Sequence, residues 1–292
     1  MKNILILICA FVIYGCEKQI PYKNSDFEKK LVVNAILEAD KPMLISVSSS
    51  VNPVQNPSLN NIKDEVTYLL IEDSVNLEYR TVNLVDGQFL INRMPKRGSI
   101  YELQLSCSNY PSVKMIDTVP NEKPIFTIDT LFRQNSDYKL KFTLEDNSSK
   151  HIYLVTLSVL GYEIVGGDTI TVSRPVNFLS NDKVFLKNIN NSTSSGSFGM
   201  FDDRLFNGSQ KKLELEFTSS QLFGVNFMPK KLELKLSNIS QTMFDYYLGL
   251  LENNHIYGGP LATYSLNNGN VLDGLGLFSF YTASRETYTI PQ

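Results

Sequence analysis

Three residue types are scarce in this chain, whose 292 residues include no tryptophan, two histidines and three cysteines. Sugar-binding modules stack their ligands on broad aromatic rings, so the absence of tryptophan counts against that class, although tyrosine and phenylalanine could substitute. With only His151 and His255 available, a histidine-rich metal site is excluded. We expect both histidines to be exposed or at a strand edge, His151 opening a strand and His255 following a helix.

An excess of positive charge is also lacking. Lysine and arginine number 27 against 30 aspartates and glutamates, which gives a net charge of −3 and a pI near 5.5. We therefore expect no basic surface that attracts phosphate groups, and no nucleic acid as a partner. The remaining composition, with 42% hydrophobic and 20% charged residues, is typical of a folded globular protein.

Hydrophobic runs of membrane-spanning length, about 20 residues, are missing as well. The apolar run at residues 4–14 is too short, and it lies between a lysine and a glycine, which is the pattern of a secretory signal peptide. The run ends in Ile-Tyr-Gly-Cys at residues 13–16, a sequence typical of bacterial lipoprotein signals. We predict a signal peptide at residues 1–15, cleavage between Gly15 and Cys16, and a diacylglycerol thioether on Cys16. The alternative is an ordinary signal peptide with an incidental cysteine.

The few cysteines exclude a disulfide within the predicted mature chain. Cys9 leaves with the signal peptide and Cys16 carries the lipid, so Cys107 has no partner. Apolar residues alternate with polar ones over residues 101–107, which predicts a strand with one buried face. We therefore interpret Cys107 as a small core residue rather than a reactive thiol.

Alternating segments indicate a first β domain. Residues 16–30 are polar and aperiodic, and we interpret them as the lipidated cysteine with a flexible tether. Residues 31–121 are predicted to form an immunoglobulin-like antiparallel β-sandwich, because short strand signals alternate there with turn residues such as Asp86-Gly87. The strand signals lie at 31–37, 43–51, 67–72, 79–84, 88–92, 101–107 and 113–119.

A second domain is predicted from the charged, proline-containing stretch at residues 119–124 onwards. Residues 122–292 are expected to form another antiparallel β-sandwich, with strand signals at 138–145, 152–160, 212–217 and 231–236. Apolar residues at helical spacing predict a short amphipathic helix over about 240–254, capped by Ser240. We expect this helix to close one open end of the sandwich, and the polar stretch 188–199 to be an exposed loop.

Signatures of catalysis are missing. The sequence contains no nucleophile elbow and no phosphate-binding loop, and Gly274-Leu275-Gly276 lacks the third glycine of a dinucleotide fingerprint. Asp202 and Asp203, near Asn207, offer oxygen ligands to calcium, but their spacing matches no calcium loop and Arg204 follows them. We therefore predict no catalytic, cofactor-binding or metal-binding residues.

Several segments together resemble a known family. They are Cys16, the opening strand at 30–37, Phe244-Asp245-Tyr246-Tyr247-Leu248, Gly259-Pro260 and residues 270–278. With them the chain resembles Bacteroidota outer-membrane lipoproteins catalogued as domain of unknown function 4249. The resemblance implies a β-rich lipoprotein, often encoded beside TonB-dependent transporters, and no catalytic residues carry over. We interpret residues 270–278 as a turn that feeds a closing strand, with glycines that allow close approach to the preceding helix.

The expected function is that of a non-catalytic accessory or binding component of the outer membrane, associated with a TonB-dependent transporter and using no cofactor. Its membrane contact would be the N-terminal lipid. Only Glu17 is acidic next to Cys16, so the periplasmic and the cell-surface face both stay open. The alternatives are a structural or adhesive surface lipoprotein and, least favoured, a hydrolase acting on an exported polymer.

Overall fold

Alternating segments of the sequence form strands, and the protein is mainly β with several antiparallel sheets, as predicted. The structure, a computed structural model, describes residues 28–51, 62, 64–186, 197–224, 226–254 and 269–290. We call residues 28–121 the first half and residues 122–290 the second half. The described strands of the first half lie close to their predicted bounds: β1 (Leu31–Glu38), β2 (Met43–Ser49), β3 (Val66–Glu72), β4 (Val75–Val82), β5 (Gln88–Ile91), β6 (Ile100–Cys107) and β7 (Val113–Thr118).

The second half contains further strands and two described helices. They are β8 (Ile125–Gln134), β9 (Asp137–Glu145), β10 (Ile152–Val165), β11 (Asp168–Pro175), β12 (Phe198–Asp202), β13 (Gln210–Thr218), α1 (Ser219–Leu222), β14 (Phe227–Ile239), α2 (Gln241–Asn254) and β15 (Leu275–Thr289). The sequence patterns predict none of β8, β11, β12 and α1. Phe198 and Gly199, expected in an exposed loop, belong to β12; Ser197 is exposed as expected, and residues 188–196 lie outside the described residues.

The described strands form three sheets. The largest has the order β11-β10-β14-β15-β1-β2-β5, and β12 also pairs with β10. The second sheet has the order β4-β3-β6-β7, and the third has the order β13-β9-β8. Among the described pairs, β1 and β15 run parallel and the others are antiparallel. The parallel pair of β1 and β15 adds to the predicted antiparallel arrangement.

Strand β15 belongs to both halves of the protein. Its residues 275–281 pair with β1, whereas its residues 281–289 pair with β14. A parallel pair needs a long crossover, and here most of the chain lies between the two strands. One sheet therefore contains strands from both halves, and a domain boundary between residues 121 and 122 stays a prediction.

Two hydrophobic cores lie between the sheets. The first core packs β1, β2 and β5 against the four-stranded sheet and includes Phe278 and Phe280 of β15. The ring of Phe280 lies 5.4 Å from that of Tyr101, centroid to centroid. Cys107 belongs to the same core, as predicted, and burial raises the pKa of its thiol. The second core packs β10 and β14 against the three-stranded sheet.

The predicted amphipathic helix is α2. The Ser240 hydroxyl caps its first turn by accepting the Met243 N–H at 3.2 Å. Met243 packs with Ile152 and Ile239, which point away from the second core because side chains alternate along a strand. The helix therefore covers the outer face of the large sheet, which corrects the expectation that it closes an open end. Among the described residues, no helix has the length and apolar character needed to cross a membrane.

Gly276 allows β15 to approach β1 closely. Its φ is +108°, and a Cβ at this position would lie 2.0 Å from the carbonyl oxygen of Val33. A Cβ on Gly274 would lie 2.9 Å from the carbonyl oxygen of Leu31. These glycines therefore serve the pairing of β15 with β1, which corrects the expectation that they face the preceding helix.

Candidate functional site

Three strand ends in the second half bring Asp146, His151 and Asp203 together. Asp146 directly follows β9, His151 directly precedes β10, and Asp203 directly follows β12. Strands β10 and β12 are antiparallel, and Ile152 lies opposite Asp202. The residue before β10 therefore meets the residue after β12. We call these three residues the Asp–His–Asp cluster.

The imidazole of His151 faces both carboxylates of the cluster. Its Nδ1 lies 3.1 Å from Oδ1 of Asp146 and 3.9 Å from Oδ2 of Asp203. The backbone N–H of His151 also donates to Oδ2 of Asp203 at 2.5 Å, and the Asp203 N–H donates to the His151 carbonyl oxygen at 3.3 Å. Asp203 therefore fixes the backbone of His151 as well as facing its ring.

Further hydrogen bonds fix the orientation of Asp146. The Tyr153 hydroxyl donates to its Oδ1 at 2.5 Å, and the Gly208 N–H donates to its Oδ2 at 2.9 Å. The ring of Tyr153 packs against Phe201 with the centroids 5.2 Å apart. Because both oxygens are bonded and Tyr153 is held by the second core, the carboxylate of Asp146 has a fixed position.

The cluster is removed from solvent. The side chains of Asp146 and Asp203 are 0% and 1% exposed, and that of His151 is 8% exposed. Burial raises the pKa of Asp203, the backbone N–H of His151 lowers it, and the carboxylate of Asp146 raises it. Burial and the hydrogen bond to Asp146 raise the pKa of the Tyr153 hydroxyl. The cluster is therefore a place where negative charge is costly.

Open space borders the cluster, and its larger part lies between the two halves. Two cavities of about 210 Å³ and 480 Å³ share Glu122, His151 and Asn238 in their walls, and Asp146 also lines the smaller one. The Asn238 side-chain amide donates to the Glu122 carbonyl oxygen at 3.3 Å. This bond ties the connection between the halves to β14. The smaller cavity thus lies beside the buried cluster.

Asp117 of β7 is another buried carboxylate, and it lines the larger cavity. Its Oδ2 accepts the Phe280 N–H of β15 at 3.0 Å. Burial raises the pKa of Asp117, while hydrogen bonds from Ser240 and Thr242 lower it. Asp117 therefore links β7 to β15 and to the start of α2, which is a structural role.

The structure corrects one expectation about the histidines. His151 precedes a strand as predicted, but it is buried rather than exposed. Of the acidic pair considered for calcium, Asp203 belongs to the cluster, whereas Asp202 pairs with Arg204 at 2.7 Å, Nε to Oδ2. Gly15, Cys16 and His255 lie outside the described residues.

Asp146 is not among the site residues predicted from the sequence. The available signal is a carboxylate directly after a strand and an imidazole directly before the next, on the two sides of a short turn. Asp203 lies 52 residues after His151, so its contact depends on the pairing of β12 with β10. Strand β12 is not predicted from the sequence. The contact of Asp203 with His151 could therefore not be predicted either.

The cluster offers ligands to a metal ion. The His151 nitrogen and one oxygen from each of Asp146 and Asp203 lie within 4.8 Å of one another. The two carboxylates do not resemble those of a glycosidase, because glycosidase carboxylates flank an open space that holds the sugar. Here both side chains are buried, and both oxygens of Asp146 accept hydrogen bonds from the protein.

The amino-acid sequence of this chain matches a known protein family. A family model described as a domain of unknown function (DUF4249) matches residues 17–287, so the chain belongs to this family. The match covers both halves, from the residues before β1 to nearly the end of β15. It confirms the resemblance to domain of unknown function 4249. No curated protein has a matching sequence.

Proposed function

We propose that the protein is a lipid-anchored accessory component of the bacterial outer membrane that binds a TonB-dependent transporter and catalyses no reaction. The lipid anchor rests on Cys16 at the end of the signal-like segment. The association with a transporter rests on the family to which the chain belongs. The structure contributes a surface that such a partner could contact.

The tether meets the folded body at one end of β15. Lys30 is held by two hydrogen bonds to Ser50, one between its N–H and the Ser50 hydroxyl and one from the Ser50 N–H to its carbonyl oxygen, both 2.9 Å long. Strand β1 starts at the next residue, and Val32 lies opposite Leu275, the first residue of β15. The lipid would therefore hold the protein from this end.

A hairpin projects past the other end of β15. Thr289 lies opposite Lys231 of β14, which in turn lies opposite Leu160 of β10. Residues 161–172 of β10 and β11 continue beyond this level, and we call them the distal hairpin. Strands rise about 3.3 Å per residue, which places the distal hairpin about 45 Å from the tether along the sheet. An anchored molecule can thus present this hairpin to a partner away from its tether.

The distal hairpin exposes apolar side chains on both faces. Tyr162, Ile164, Val165 and Ile170 of the hairpin, and the neighbouring Met228, are between 41% and 52% exposed. Side chains alternate along a strand, so Ile164 lies on one face and Val165 on the other. Grouped apolar side chains on a surface are typical of contacts with another protein. This exposed hairpin, remote from the tether, is the observation that carries the proposed binding role.

Co-purification from membranes tests the proposal. Native membranes are extracted in mild detergent, and the protein is captured by an affinity tag at its C-terminus. We expect a large β-barrel protein to copurify with the wild type. With the double variant Ile164→Glu/Ile170→Glu, we expect the amount of barrel protein recovered to fall by about tenfold or more. Met94→Glu is the matched control, because Met94 is 61% exposed in the first half. Recovery of the wild type without a barrel protein would contradict the transporter role and favour an adhesive one.

The anchor has its own test. We expect radiolabelled palmitate to label the wild type and to leave Cys16→Ser unlabelled. A mature chain that begins before Cys16, or a label that survives the substitution, would contradict the lipid anchor.

A further inference from the structure

The Asp–His–Asp cluster contains more negative charge than nearby cations neutralise. Among the described residues, His151 is the basic group within 4.0 Å of Asp146 and Asp203. Lys123, which lines the smaller cavity, already forms an ion pair at 3.1 Å, and Lys150 is exposed on the wall of the larger cavity. Buried carboxylates are normally paired with a cation or bound to a metal ion.

The spacing of the ligand atoms suits a small cation. Ligands bound to zinc at 2.0–2.2 Å in a tetrahedron lie roughly 3.3 to 3.6 Å apart. The distances from the His151 nitrogen, 3.1 Å to Asp146 and 3.9 Å to Asp203, lie on either side of that range. Shifts of a few tenths of an ångström would therefore bring the His151 nitrogen into that range of both oxygens, and the three ligand atoms already lie within 4.8 Å of one another.

Outer hydrogen bonds orient the ligand atoms as they do in metal sites. The Tyr153 hydroxyl and the Gly208 N–H hold the carboxylate of Asp146, and the His151 N–H holds that of Asp203. In metal sites such partners keep the ligands in position and tune their basicity. Asp146 and His151 also line the smaller cavity, so the cluster lies next to open space.

We propose that the Asp–His–Asp cluster is a binding site for a first-row divalent cation of the zinc type. Oδ1 of Asp146, Oδ2 of Asp203 and Nδ1 of His151 are its three protein ligands. The imidazole favours zinc over calcium and magnesium, which prefer oxygen ligands. If Nδ1 carries a proton, binding releases it, because only the unprotonated nitrogen coordinates. This site goes beyond the accessory function and does not depend on it.

Metal binding to the full chain tests the site. The protein is purified in mild detergent, stripped with a chelator and titrated with zinc chloride, and binding is followed by calorimetry and by the Tm. We expect one zinc ion per chain and a Tm that rises with zinc concentration. The absence of saturable binding, or binding of calcium in preference to zinc, would overturn the proposal.

Variants assign the binding to this cluster. We expect Asp203→Asn and His151→Gln to weaken zinc binding by about tenfold or more, and Tyr153→Phe to weaken it by about tenfold through the outer hydrogen bond. The matched control is Asp202→Asn, since Asp202 is the neighbour that pairs with Arg204. Tyr153→Phe keeps the packed ring, so it reports on binding even if another variant fails to fold. Zinc binding that is unchanged in Asp203→Asn and Tyr153→Phe would show that the cluster is a hydrogen-bonded clamp.

Discussion

The first and second halves of the protein differ in how their charged groups are placed. In the first half, Glu72 and Glu102 pair at 2.9 Å and 2.8 Å with lysines whose side chains are 73% and 49% exposed, and the buried Asp117 accepts the Phe280 N–H. In the second half, two carboxylates of the Asp–His–Asp cluster are fully buried. Surface pairs contribute little to stability, whereas buried charges are costly. A buried carboxylate thus joins strands in the first half, whereas in the second half two buried carboxylates face one imidazole.

The two halves are nevertheless joined through β15. This strand adds Phe278 and Phe280 to the first core, and its later residues pair with β14 beside the second core. Glu38 of β1 also binds Arg285 of β15 through two hydrogen bonds of 2.7 Å and 2.6 Å. We therefore expect substitutions in β15 to affect the first half although they lie at the end of the sequence.

The largest expected effect is that of Phe280→Ala. Phe280 is fully buried in the first core, and truncation of such a ring costs about 3 to 5 kcal/mol of unfolding free energy. Urea denaturation of the full chain measures this loss. Tyr288→Ala, at a partly buried position later in β15, is the control and should cost less. Equal losses would contradict the role of β15 in the first core.

A smaller effect is expected for Gly276→Ala. The new Cβ would meet the Val33 carbonyl oxygen at 2.0 Å, and the positive φ adds strain, so we expect a loss of about 2 to 4 kcal/mol. Gly166→Ala is the control, because Gly166 also has a positive φ but no atom within 4 Å of the added Cβ. The control should lose about 1 kcal/mol. A similar loss in both variants would mean that the close approach of β15 to β1 is unimportant.

The link between β1 and β15 predicts a pH dependence. Burial raises the pKa of Glu38, but hydrogen bonds from Arg285 and Lys41 outweigh it and lower the pKa from 4.5 to about 2. The stabilisation is therefore present above pH 4.5 and is lost as the pH falls towards 2. We expect Glu38→Gln to cost about 2 kcal/mol at pH 7 and progressively less below pH 4.5. Urea denaturation of both proteins across this pH range measures the loss of unfolding free energy. A loss that grows towards low pH would contradict the stabilising pair of Glu38 and Arg285.

Asp117 should show the opposite pH dependence. Burial raises the pKa of Asp117 in the folded state. Between the pKa of the unfolded chain and this raised pKa, the folded protein therefore binds a proton that the unfolded chain has lost. Stability from this group is present below pH 3.8 and is lost as the pH rises through its folded pKa. We expect the stability of the wild type relative to Asp117→Asn, measured by urea denaturation, to fall over that rise. A relative stability that increases with pH would contradict the burial of this carboxylate.

The sequence predicts strands well where one face is buried and the other is exposed. Strand β9 alternates without interruption, and its observed bounds nearly equal the predicted ones. Strand β11 is not predicted, although residues 169–173 alternate polar and apolar side chains; all of its residues are exposed or half-buried, so this alternation marks no buried face. The length of β10 is underestimated for the same reason, since its residues beyond Gly161 form one strand of the exposed hairpin.

Long-range pairing limits what the sequence reveals about the site. Local alternation predicts that His151 precedes a strand. Its contact with Asp203, which directly follows β12, depends on long-range strand pairing and has no local signal. Likewise, a closing strand after residue 270 is predicted, whereas its parallel pairing with β1 is not. Such contacts depend on the complete sheet, and no local pattern of residues encodes them.

Hydrogen exchange under increasing urea tests most directly whether β15 makes one cooperative unit of the two halves. The amides to compare are those of β3 in the first half and β13 in the second, because neither strand pairs with β15. We predict that both sets reach the same opening free energy in the wild type, and that Phe280→Ala lowers both together. A distinctly lower opening free energy for the β3 amides than for the β13 amides, with β13 unaffected by Phe280→Ala, would contradict a single cooperative unit.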